Sequence, residues 1–360
     1  MTDSFTIAYA LSIYLMLTID NFTLPHWSNA YGTPPGKGKI RTIPADFIVK
    51  ETLAFEPSGS GEHIFLHIQK TGENTEYVAR QLARFAHVRQ RDVGYAGMKD
   101  RHAITMQWFS IWLPKGDEPN WSDFCVEGVT ILSVTRHARK LKRGALACNH
   151  FELTLREWQG DIDHTLAQLT TIKRHGIPNY YGSQRFGHRG QNIVKALAMF
   201  NGEKVPREQR SIYLSAVRSF LFNTLLAQRI HANNWATGLS GDVFMLDGSR
   251  SGFVCDDIDE TIRSRLANNE LHPTGALYGK GDLRTTGLAH SEEQSLCNTY
   301  TTLIQGLIAF GLESDRRALR VNVHDLTWHF DENNTTLLLA FSLPAGSYAT
   351  AVLREIIELD

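Results

Sequence analysis

The chain has 360 residues, of which 42% are hydrophobic and 21% are charged, and its formal net charge is −1. This composition is typical of a globular protein and excludes a disordered or fibrous chain. Because the net charge is close to zero, a nucleic acid or another anionic partner must be met by a local basic surface, not by the charge of the whole molecule.

The first twenty residues contain an apolar run, Ile7–Ile19. The run is too short to cross a bilayer, and it makes a poor signal peptide because no Lys or Arg precedes it. It is either part of an N-terminal extension covering residues 1–30 or sequence upstream of a true start at Met16. We favour the later start.

Hydrophobic periodicity predicts the elements of the first half of the chain. Residues 74–88 predict a helix, since Val78, Leu82 and Phe85 recur at helical spacing, with Thr75 as its candidate N-cap. Alternating or apolar runs predict strands around Phe47–Glu51 and in residues 61–70, 104–113, 128–138 and 150–158.

Helical patterns dominate the middle of the chain, and strands return near its end at residues 318–330 and 336–343. The clearest helix covers residues 213–230. One of its faces is marked by Leu214, Val217, Leu221, Leu225 and Gln228. Other helices are predicted in residues 161–176, 191–202, 303–310 and 347–359.

This order of elements predicts an α+β protein. The simplest arrangement is a discontinuous sheet domain formed by residues 31–174 and 311–360. A more helical insertion, residues 175–310, interrupts it.

The segment GYAGMKDRHAITMQWFSI, residues 94–111, places Asp100 among Lys99, Arg101 and His102. A carboxylate can act as a nucleophile or a general base, and the adjacent cations favour its ionised form. Gly94 and the other small residues before it would let a substrate approach closely. The alternative is a solvated surface turn, which residue type alone favours.

A basic segment follows between two predicted strands and contains no acidic residue. Such a density of cations suits phosphate contacts, and the ring of Phe151, which follows, could stack on a base. The alternatives are a strand edge protected by charge and a simple core role for Phe151. The basic or potentially basic residues are Arg136, His137, Arg139, Lys140, Lys142 and Arg143.

Residues 178–192, PNYYGSQRFGHRGQN, interleave aromatic, Gly and Arg residues, including Arg185 and Arg189. Such a loop could meet phosphates, although its glycine spacing fits neither a P-loop nor a dinucleotide-binding motif. An irregular loop that opens a helix is the equal alternative. Arg218 and Arg229, on the 213–230 helix, are interpreted as snorkelling surface residues.

The four cysteines, Cys125, Cys148, Cys255 and Cys297, are far apart and form no C-x-x-C pair. This spacing predicts neither a zinc site nor a disulfide framework. A reduced cytoplasmic setting fits it best.

Several of these segments together resemble the TruD family of tRNA pseudouridine synthases. AGMKDRHAITMQW resembles the family signature, and the other segments follow in the family's order from about residue 30 onward. They are ADFIVKE at 45–51, RHARKLKRGALACNHF at 136–151, GIPNYYGSQRFGHRGQN at 176–192, SAVRSFLFN at 215–223 and LPAGSYATAVLRE at 343–355.

The resemblance implies an enzyme without cofactor or metal that isomerises uridine in tRNA to pseudouridine. In bacterial members the target is position 13 in the D-arm. It also implies a pseudouridine-synthase mixed β-sheet with flanking helices as the catalytic domain, and a TRUD-type α/β insertion domain. The expected partner is tRNA, and the expected state is a monomer in the cytoplasm.

The resemblance also implies roles for individual residues. Asp100 would be the catalytic carboxylate, attacking either C1′ of the ribose or C6 of the uracil of a flipped nucleotide. The implied substrate-binding residues are Phe47, Asn149, Phe151, Tyr348 and Arg41. Tyr348 stands where the bacterial pattern has Phe. The candidate contacts to the RNA backbone are Lys99, Arg101, Arg136, Arg139, Lys140, Lys142, Arg143, Arg185 and Arg189.

Two other functions remain open at this stage. The first is an RNA-binding or RNA-folding protein without catalysis. The second is a nucleoside or glycoside hydrolase, which would need a second carboxylate across the bond. Glu51 and Glu76 are available for that role, but no motif supports either.

Overall fold

The computed structural model describes residues 22–114 and 118–358. The apolar run Ile7–Ile19 and the proposed start at Met16 lie outside the described residues. The described chain forms two compact units. The sheet unit comprises Pro35–Lys173, Val323–Ala349 and 356–358, and the helical unit comprises 22–34, Arg174–Asn322 and Thr350–Glu355.

The strands predicted from alternation are present, but the segment predicted as one strand in residues 318–330 is divided into Arg320–Val321 and His324–Phe330. Three short strands of the sheet unit, Gly36–Lys39, Val93–Tyr95 and Ile357–Glu358, were not predicted. In chain order the strands are β1 (Gly36–Lys39), β2 (Phe47–Leu53), β3 (His63–Thr71), β4 (Val93–Tyr95), β5 (Ile104–Trp112), β6 (Val129–His137), β7 (Leu146–Gly160), β8 (Ile177–Pro178), β9 (Asp242–Leu246), β10 (Gly252–Cys255), β11 (Leu271–Leu277), β12 (Asp315–Ala318), β13 (Arg320–Val321), β14 (His324–Phe330), β15 (Leu337–Pro344) and β16 (Ile357–Glu358).

The helices predicted in the middle of the chain are also present. In chain order the helices are α1 (Thr75–Phe85), α2 (Ile162–His175), α3 (Gln191–Phe200), α4 (Arg207–His231), α5 (Glu260–Ala267), α6 (Gly287–Thr299), α7 (Thr301–Ala309) and α8 (Ala349–Leu353). The observed architecture is therefore a mixed α+β fold, as the sequence predicts.

The main sheet runs in the order β14-β15-β7-β2-β5-β3-β6, with β1, β4 and β16 paired beside this path. Neighbours on the path are antiparallel except β2 and β5, which are parallel. One face of β3 carries Ile64, Leu66 and Ile68, which pack with Val78 and Leu82 of α1 in a fully buried cluster. Burial of these side chains seats α1 on the sheet.

The N-terminus of α1 differs from the prediction. Asn74 is the N-cap, and Thr75 is the first helical residue. The Thr75 hydroxyl donates instead to Oε1 of Gln107 on β5 and accepts from the backbone N of Lys99. The side chain is buried, so it joins the helix to the sheet and to the loop that carries Asp100.

The predicted C-terminal helix is too long. Helix α8 ends at Leu353, and the chain returns to the main sheet as β16, parallel to β1. The apolar pattern around Ile356 and Ile357 reflects a short buried strand end, because both residues are fully buried. Over so few residues, periodicity does not separate helix from strand.

The helical unit is built around α4, whose residues Val217, Leu221 and Leu225 are buried as predicted. Gln228 is exposed, so the predicted apolar face ends one turn earlier. The unit also contains a four-stranded sheet in the order β10-β9-β11-β12, which the sequence did not predict. Strand β11 is almost completely buried and contains Pro and Gly, so it shows no alternation.

The surface interpretation of Arg229 is wrong. Its side chain is 3% exposed, and its guanidinium binds the carboxylate of Asp242 on β9 through two contacts of 3.1 and 2.5 Å. Arg218 is also half-buried and donates to the backbone oxygens of Leu277 and Glu313. Burial lowers the pKa of Arg218. Both arginines connect α4 to the sheet of the helical unit instead of covering its surface.

Among the described residues, none of the helices combines the length and apolar character needed to cross a membrane.

The buried ion pair in the helical unit predicts a large stability effect. We expect Arg229→Met to lower the free energy of unfolding by about 3–5 kcal/mol, because Asp242 would remain buried without its counterion. The exposed Arg263→Met, whose partner Glu260 lies 4.0 Å away, is the control and should change it by less than about 0.5 kcal/mol. Urea unfolding of both variants measures the difference. Equal effects would contradict the assignment.

Candidate active site

Asp100 lies in the loop between β4 and β5, and its side chain is 20% exposed. Its Oδ2 lies 2.9 Å from Nη2 of Arg41, and its Oδ1 accepts a 3.0 Å hydrogen bond from the backbone N of His102. Charge-assisted contacts of this kind are strong and orient a carboxylate. Both oxygens are engaged while part of the group still faces solvent, as a reactive carboxylate requires.

Arg41 connects Asp100 to an aromatic wall. Its guanidinium carbon lies 4.2 Å from the centroid of the Phe47 ring, so the cation also contacts the ring face. The segment between these residues is held by Asp46, which is buried and binds Arg156 of β7 through contacts of 2.7–3.0 Å. The hydrogen bonds from Arg156 lower the pKa of the Asp46 carboxyl.

Lys70 is a buried residue that contacts the loop carrying Asp100. Its side chain is fully buried at the end of β3, and its ammonium donates to the backbone oxygens of Asp100 at 2.9 Å and Glu73 at 2.8 Å. Burial lowers the pKa of Lys70 to about 8, while the nearby Asp100 carboxylate opposes the shift. The sequence analysis missed this residue. The signal was present, because Lys70 continues the inward-facing alternation of Ile64, Leu66 and Ile68 on β3.

Lys99 forms a second buried support. Its ammonium lies 3.0 Å from Oε2 of Glu51, and the two side chains are 7% and 0% exposed. It also donates to Oδ1 of Asn149, which stands opposite Glu51 in the register of β2 and β7. The other oxygen of Glu51 accepts from the backbone N of Trp108. This burial contradicts the phosphate contact predicted for Lys99, and it leaves Glu51 unsuited to the second carboxylate of a hydrolase.

Three phenylalanine rings pack beside this network. The centroids of Phe47 and Phe151 are 6.2 Å apart in an edge-to-face arrangement, and Phe151 lies 5.4 Å from Phe341 of β15. The sheet register places Phe151 directly opposite Phe341. Phe47 and Phe151 are only 4% and 6% exposed, so the rings also serve as core residues. The sequence analysis did not single out Phe341.

The basic segment contributes several exposed cations to the sheet unit. Arg139, Lys142 and Arg143 are exposed. Arg136 is paired with Glu118 at 2.6 Å and also donates to the backbone oxygen of Gly61, so its charge is largely compensated.

The remaining predicted residues are more dispersed along the chain. Arg101 is exposed and donates to the backbone oxygen of Gly72, and Tyr348 is half-buried between β15 and α8. Arg185 and Arg189 lie in the helical unit, where Arg185 donates to the Ser215 hydroxyl. Their contacts with substrate stay predictions.

Side chains that could bind a metal ion do not cluster in the part of the chain that the structure describes. No group of three or more His, Cys, Asp or Glu side chains is arranged to hold a metal ion there. The four cysteines are free thiols. The site offers a carboxylate held between a guanidinium and a backbone amide, beside an aromatic wall.

Comparison with known proteins matches this chain to one family. The family model for tRNA pseudouridine synthase D (TruD) matches residues 28–203 and 189–356. A tRNA pseudouridine synthase D from Methylococcus capsulatus is 48% identical over 333 residues, which cover 92% of this chain and 94% of the relative. Another from Hydrogenovibrio crunogenus is 44% identical and covers 94% of this chain and 97% of the relative.

A solved structure supports the same fold. The crystal structure of a candidate tRNA pseudouridine synthase D (TruD) from Methanosarcina mazei superposes with a TM-score of 0.70. The match covers 94% of this chain and 97% of the solved chain, at 21% sequence identity. At this identity, the comparison establishes the arrangement of the backbone.

The buried Lys99–Glu51 pair predicts strong energetic coupling. Lys99→Met alone should lower the free energy of unfolding by about 3–5 kcal/mol, because the buried Glu51 side chain loses its counterion. Glu51→Gln alone should have an effect of the same size, because the buried Lys99 ammonium loses its counterion. The double variant should cost less than the sum of the two. The exposed pair Lys39–Glu157 is the matched control, with an expected coupling below about 1 kcal/mol. Additive effects of Lys99→Met and Glu51→Gln in urea unfolding would contradict the coupling.

The lowered pKa of Lys70 predicts a change of stability with pH. The folded protein releases this proton near pH 8, whereas the unfolded chain retains it to about pH 10.4. Between these values the unfolded state binds more protons, so the contribution of Lys70 to stability rises with pH. The free energy of unfolding of the wild type should therefore increase relative to Lys70→Met between pH 8 and 10.

Urea unfolding at several pH values measures this difference. Lys39→Met, which alters an exposed lysine, is the control and should follow the wild type in parallel across the range. A constant difference between the wild type and Lys70→Met would show that Lys70 does not titrate in this window.

Proposed function

This chain belongs to the tRNA pseudouridine synthase D (TruD) family, and from that membership we propose that Asp100 is the carboxylate that starts its reaction. The chain is a tRNA pseudouridine synthase, an isomerase whose substrate is tRNA. The identity of 40–48% to synthases over most of the chain favours catalysis over RNA binding without chemistry.

The reaction needs one strong nucleophile and no change of oxidation state. The bond between N1 of uracil and C1′ of ribose breaks, and a bond between C5 and C1′ forms. The proton on C5 leaves, and N1 gains a proton, so atoms and charge balance. Asp100 begins this sequence by attack on C1′ or on C6, and either route requires an ionised oxygen close to a flipped base.

The contacts of Asp100 and Lys99 support this assignment, and one observation carries it. The carboxylate of Asp100 lies 2.9 Å from Arg41, and the same guanidinium covers the ring of Phe47. Its neighbour Lys99 contacts Asn149. The candidate carboxylate is therefore joined by direct contacts to residues that the family resemblance assigns to the substrate.

The aromatic wall and Asn149 supply the proposed uracil pocket. A flipped uracil would place its ring against Phe151, which is 6% exposed, with Tyr348 as a further wall of the pocket. Because Oδ1 of Asn149 accepts from Lys99, its amide nitrogen is the group that would donate to a uracil carbonyl. Arg41 would hold both the carboxylate and the neighbouring ring in place.

The RNA backbone contacts are proposed from the exposed cations. Arg101, Arg139, Lys142 and Arg143 carry this role in the sheet unit, because their side chains are exposed. Lys140 is discussed below. Arg136 contributes less because Glu118 compensates its charge. Arg185 and Arg189 are proposed contacts of the helical unit, which we propose as the TRUD insertion domain, with the sheet unit as the catalytic domain.

The proposed target is uridine 13 in the D-arm of tRNA, and the support for it is the resemblance to bacterial members of the family. A cytoplasmic location is proposed because tRNA is the substrate and the cysteines are free thiols. A monomer remains a prediction. Mapping pseudouridine in bulk tRNA from cells with and without this gene identifies the target nucleotide.

The catalytic assignment predicts the effect of Asp100→Asn. The amide is nearly isosteric, and its oxygen can still accept from the backbone N of His102. The Arg41 contact is lost, but Lys70 still donates to the backbone oxygen of residue 100, so the loop should keep its conformation. We expect the single-turnover rate of pseudouridine formation to fall by at least on the order of 10³-fold, with tRNA affinity changed by less than about threefold. A tritium-release assay with 5-tritiated uridine in the tRNA measures the rate.

Asp163→Asn is the matched control, because it makes the same chemical change at an exposed position of α2. This control should keep the wild-type rate. A rate for Asp100→Asn close to that of Asp163→Asn would exclude Asp100 as the reactive carboxylate. Free uracil in the products would instead indicate a hydrolase.

A further inference from the structure

The sheet unit also contains a basic site that does not include the Asp100 carboxylate. It is a cleft of about 620 Å³, here called the basic cleft, between the residues that open β4 and the basic segment after β6. Its polar lining consists of Gln90, Arg91, Tyr95, Lys140, Lys142 and Arg143. Gln90, Arg91 and Tyr95 were not predicted as functional from the sequence.

The floor of the basic cleft is built by close backbone packing. Leu141 is buried, and its backbone N donates to the hydroxyl of Ser110 on β5 at 2.9 Å. A Cβ on Gly94 of β4 would lie 2.4 Å from the backbone oxygen of Leu141, so only glycine permits this approach. The backbone N of Gly144 then donates to the oxygen of Ala96. The flanking cations therefore project from a fixed segment instead of a mobile loop.

The charge of the basic cleft favours an anion. Four of the residues that line the basic cleft are cationic, and no lining residue is acidic. The nearby carboxylate of Asp92 is already bound by Arg89 at 3.0 Å. The charge of Glu76, which lies exposed on α1, acts on Tyr95. Converging cations in a concave site on a preformed scaffold suit a phosphate diester.

The Tyr95–Arg143 pair adds a flat surface to the charge. The Arg143 guanidinium carbon lies 4.2 Å from the centroid of the Tyr95 ring, and Nη2 donates to the Tyr95 hydroxyl at 2.9 Å. These two contacts hold the guanidinium over the ring. A stacked, exposed guanidinium is a surface on which an unpaired nucleobase can stack.

The basic cleft is close to the candidate active site. Thr75, at the start of α1, accepts from the backbone N of Lys99, whereas Ala79 of the same helix lines the cleft. Four helical residues span ~6 Å along the axis. The chain from Tyr95 to Asp100 is five residues long and bridges at most ~18 Å. One RNA strand can therefore reach both sites with neighbouring nucleotides.

We propose that the basic cleft is a second tRNA subsite, which binds the phosphate and stacks the base of a nucleotide near the target uridine in the same strand. This subsite rests on the proposed function, since it anchors the strand whose uridine reaches Asp100. Arg91 and Lys142 bind the phosphate, Lys140 adds its charge while it donates to the backbone oxygen of Arg91, and the Tyr95–Arg143 pair stacks on the base.

The test separates the phosphate contact from the stacking contact. Substrate tRNA binding is measured over a range of salt concentrations for Arg91→Ala/Lys142→Ala, Tyr95→Leu, Tyr95→Phe and the control Arg84→Ala. Arg84 is an exposed cation on α1, directed away from Ala79 by helical geometry. The salt slope, −d log K/d log[salt], counts the phosphates that each variant neutralises.

We expect Arg91→Ala/Lys142→Ala to weaken binding by about tenfold or more and to reduce the salt slope by roughly 1–2. Tyr95→Leu should weaken binding with an unchanged slope, and Tyr95→Phe, which keeps the ring, should restore most of the affinity.

Two failures are distinguishable. If the wild type forms no pseudouridine in the tRNA, the proposed function itself is wrong. If the wild type is active but Arg91→Ala/Lys142→Ala binds tRNA with the affinity and salt slope of Arg84→Ala, the basic cleft is not an RNA subsite, and the Asp100 assignment is unaffected.

Discussion

The candidate active site depends on two ammonium groups buried beneath the loop that carries Asp100. Lys70 holds the backbone of that loop through the oxygen of Asp100, and Lys99 is fixed by Glu51 and Asn149. A buried cation is costly unless every donor finds a partner, so each lysine admits few loop conformations. The loop is thereby set before substrate arrives, and preorganisation of this kind is what catalysis by a charged group requires.

The register of the strands places the charged and aromatic groups of the site side by side. Glu51 stands opposite Asn149, and Val49 stands opposite Phe151, so the charged and aromatic groups of β2 and β7 project from one face of the sheet. The same face carries α1, which contacts the loop at Thr75 and lines the basic cleft at Ala79. A shift of one residue in this pairing would move every one of these side chains to the other face.

The parts of the molecule that carry a local sequence pattern could be predicted from the sequence. Alternation and apolar runs predicted the long strands of the main sheet but not the short strands β1, β4 and β16. The family resemblance pointed to Asp100, Arg41 and Phe47, and the structure brings these three residues together. Lys70 was missed although the alternation of β3 continues to it. Lys99 was misassigned because its buried partners, Glu51 and Asn149, lie on other elements of the fold. Arg229 was misread for the same reason, since its counterion Asp242 lies beyond the end of α4. Strand β11 was not predicted, because complete burial removes the alternation that marks a strand.

For catalysis, the Asp100 oxygen must reach a uridine that has left its stack. A crystal structure of Asp100→Asn bound to substrate tRNA tests this most directly. We expect one flipped uridine, with C1′ or C6 within ~3.5 Å of the residue 100 side chain and the uracil against Phe151. A complex in which every uridine stays stacked in the tRNA and residue 100 touches no nucleotide would contradict it.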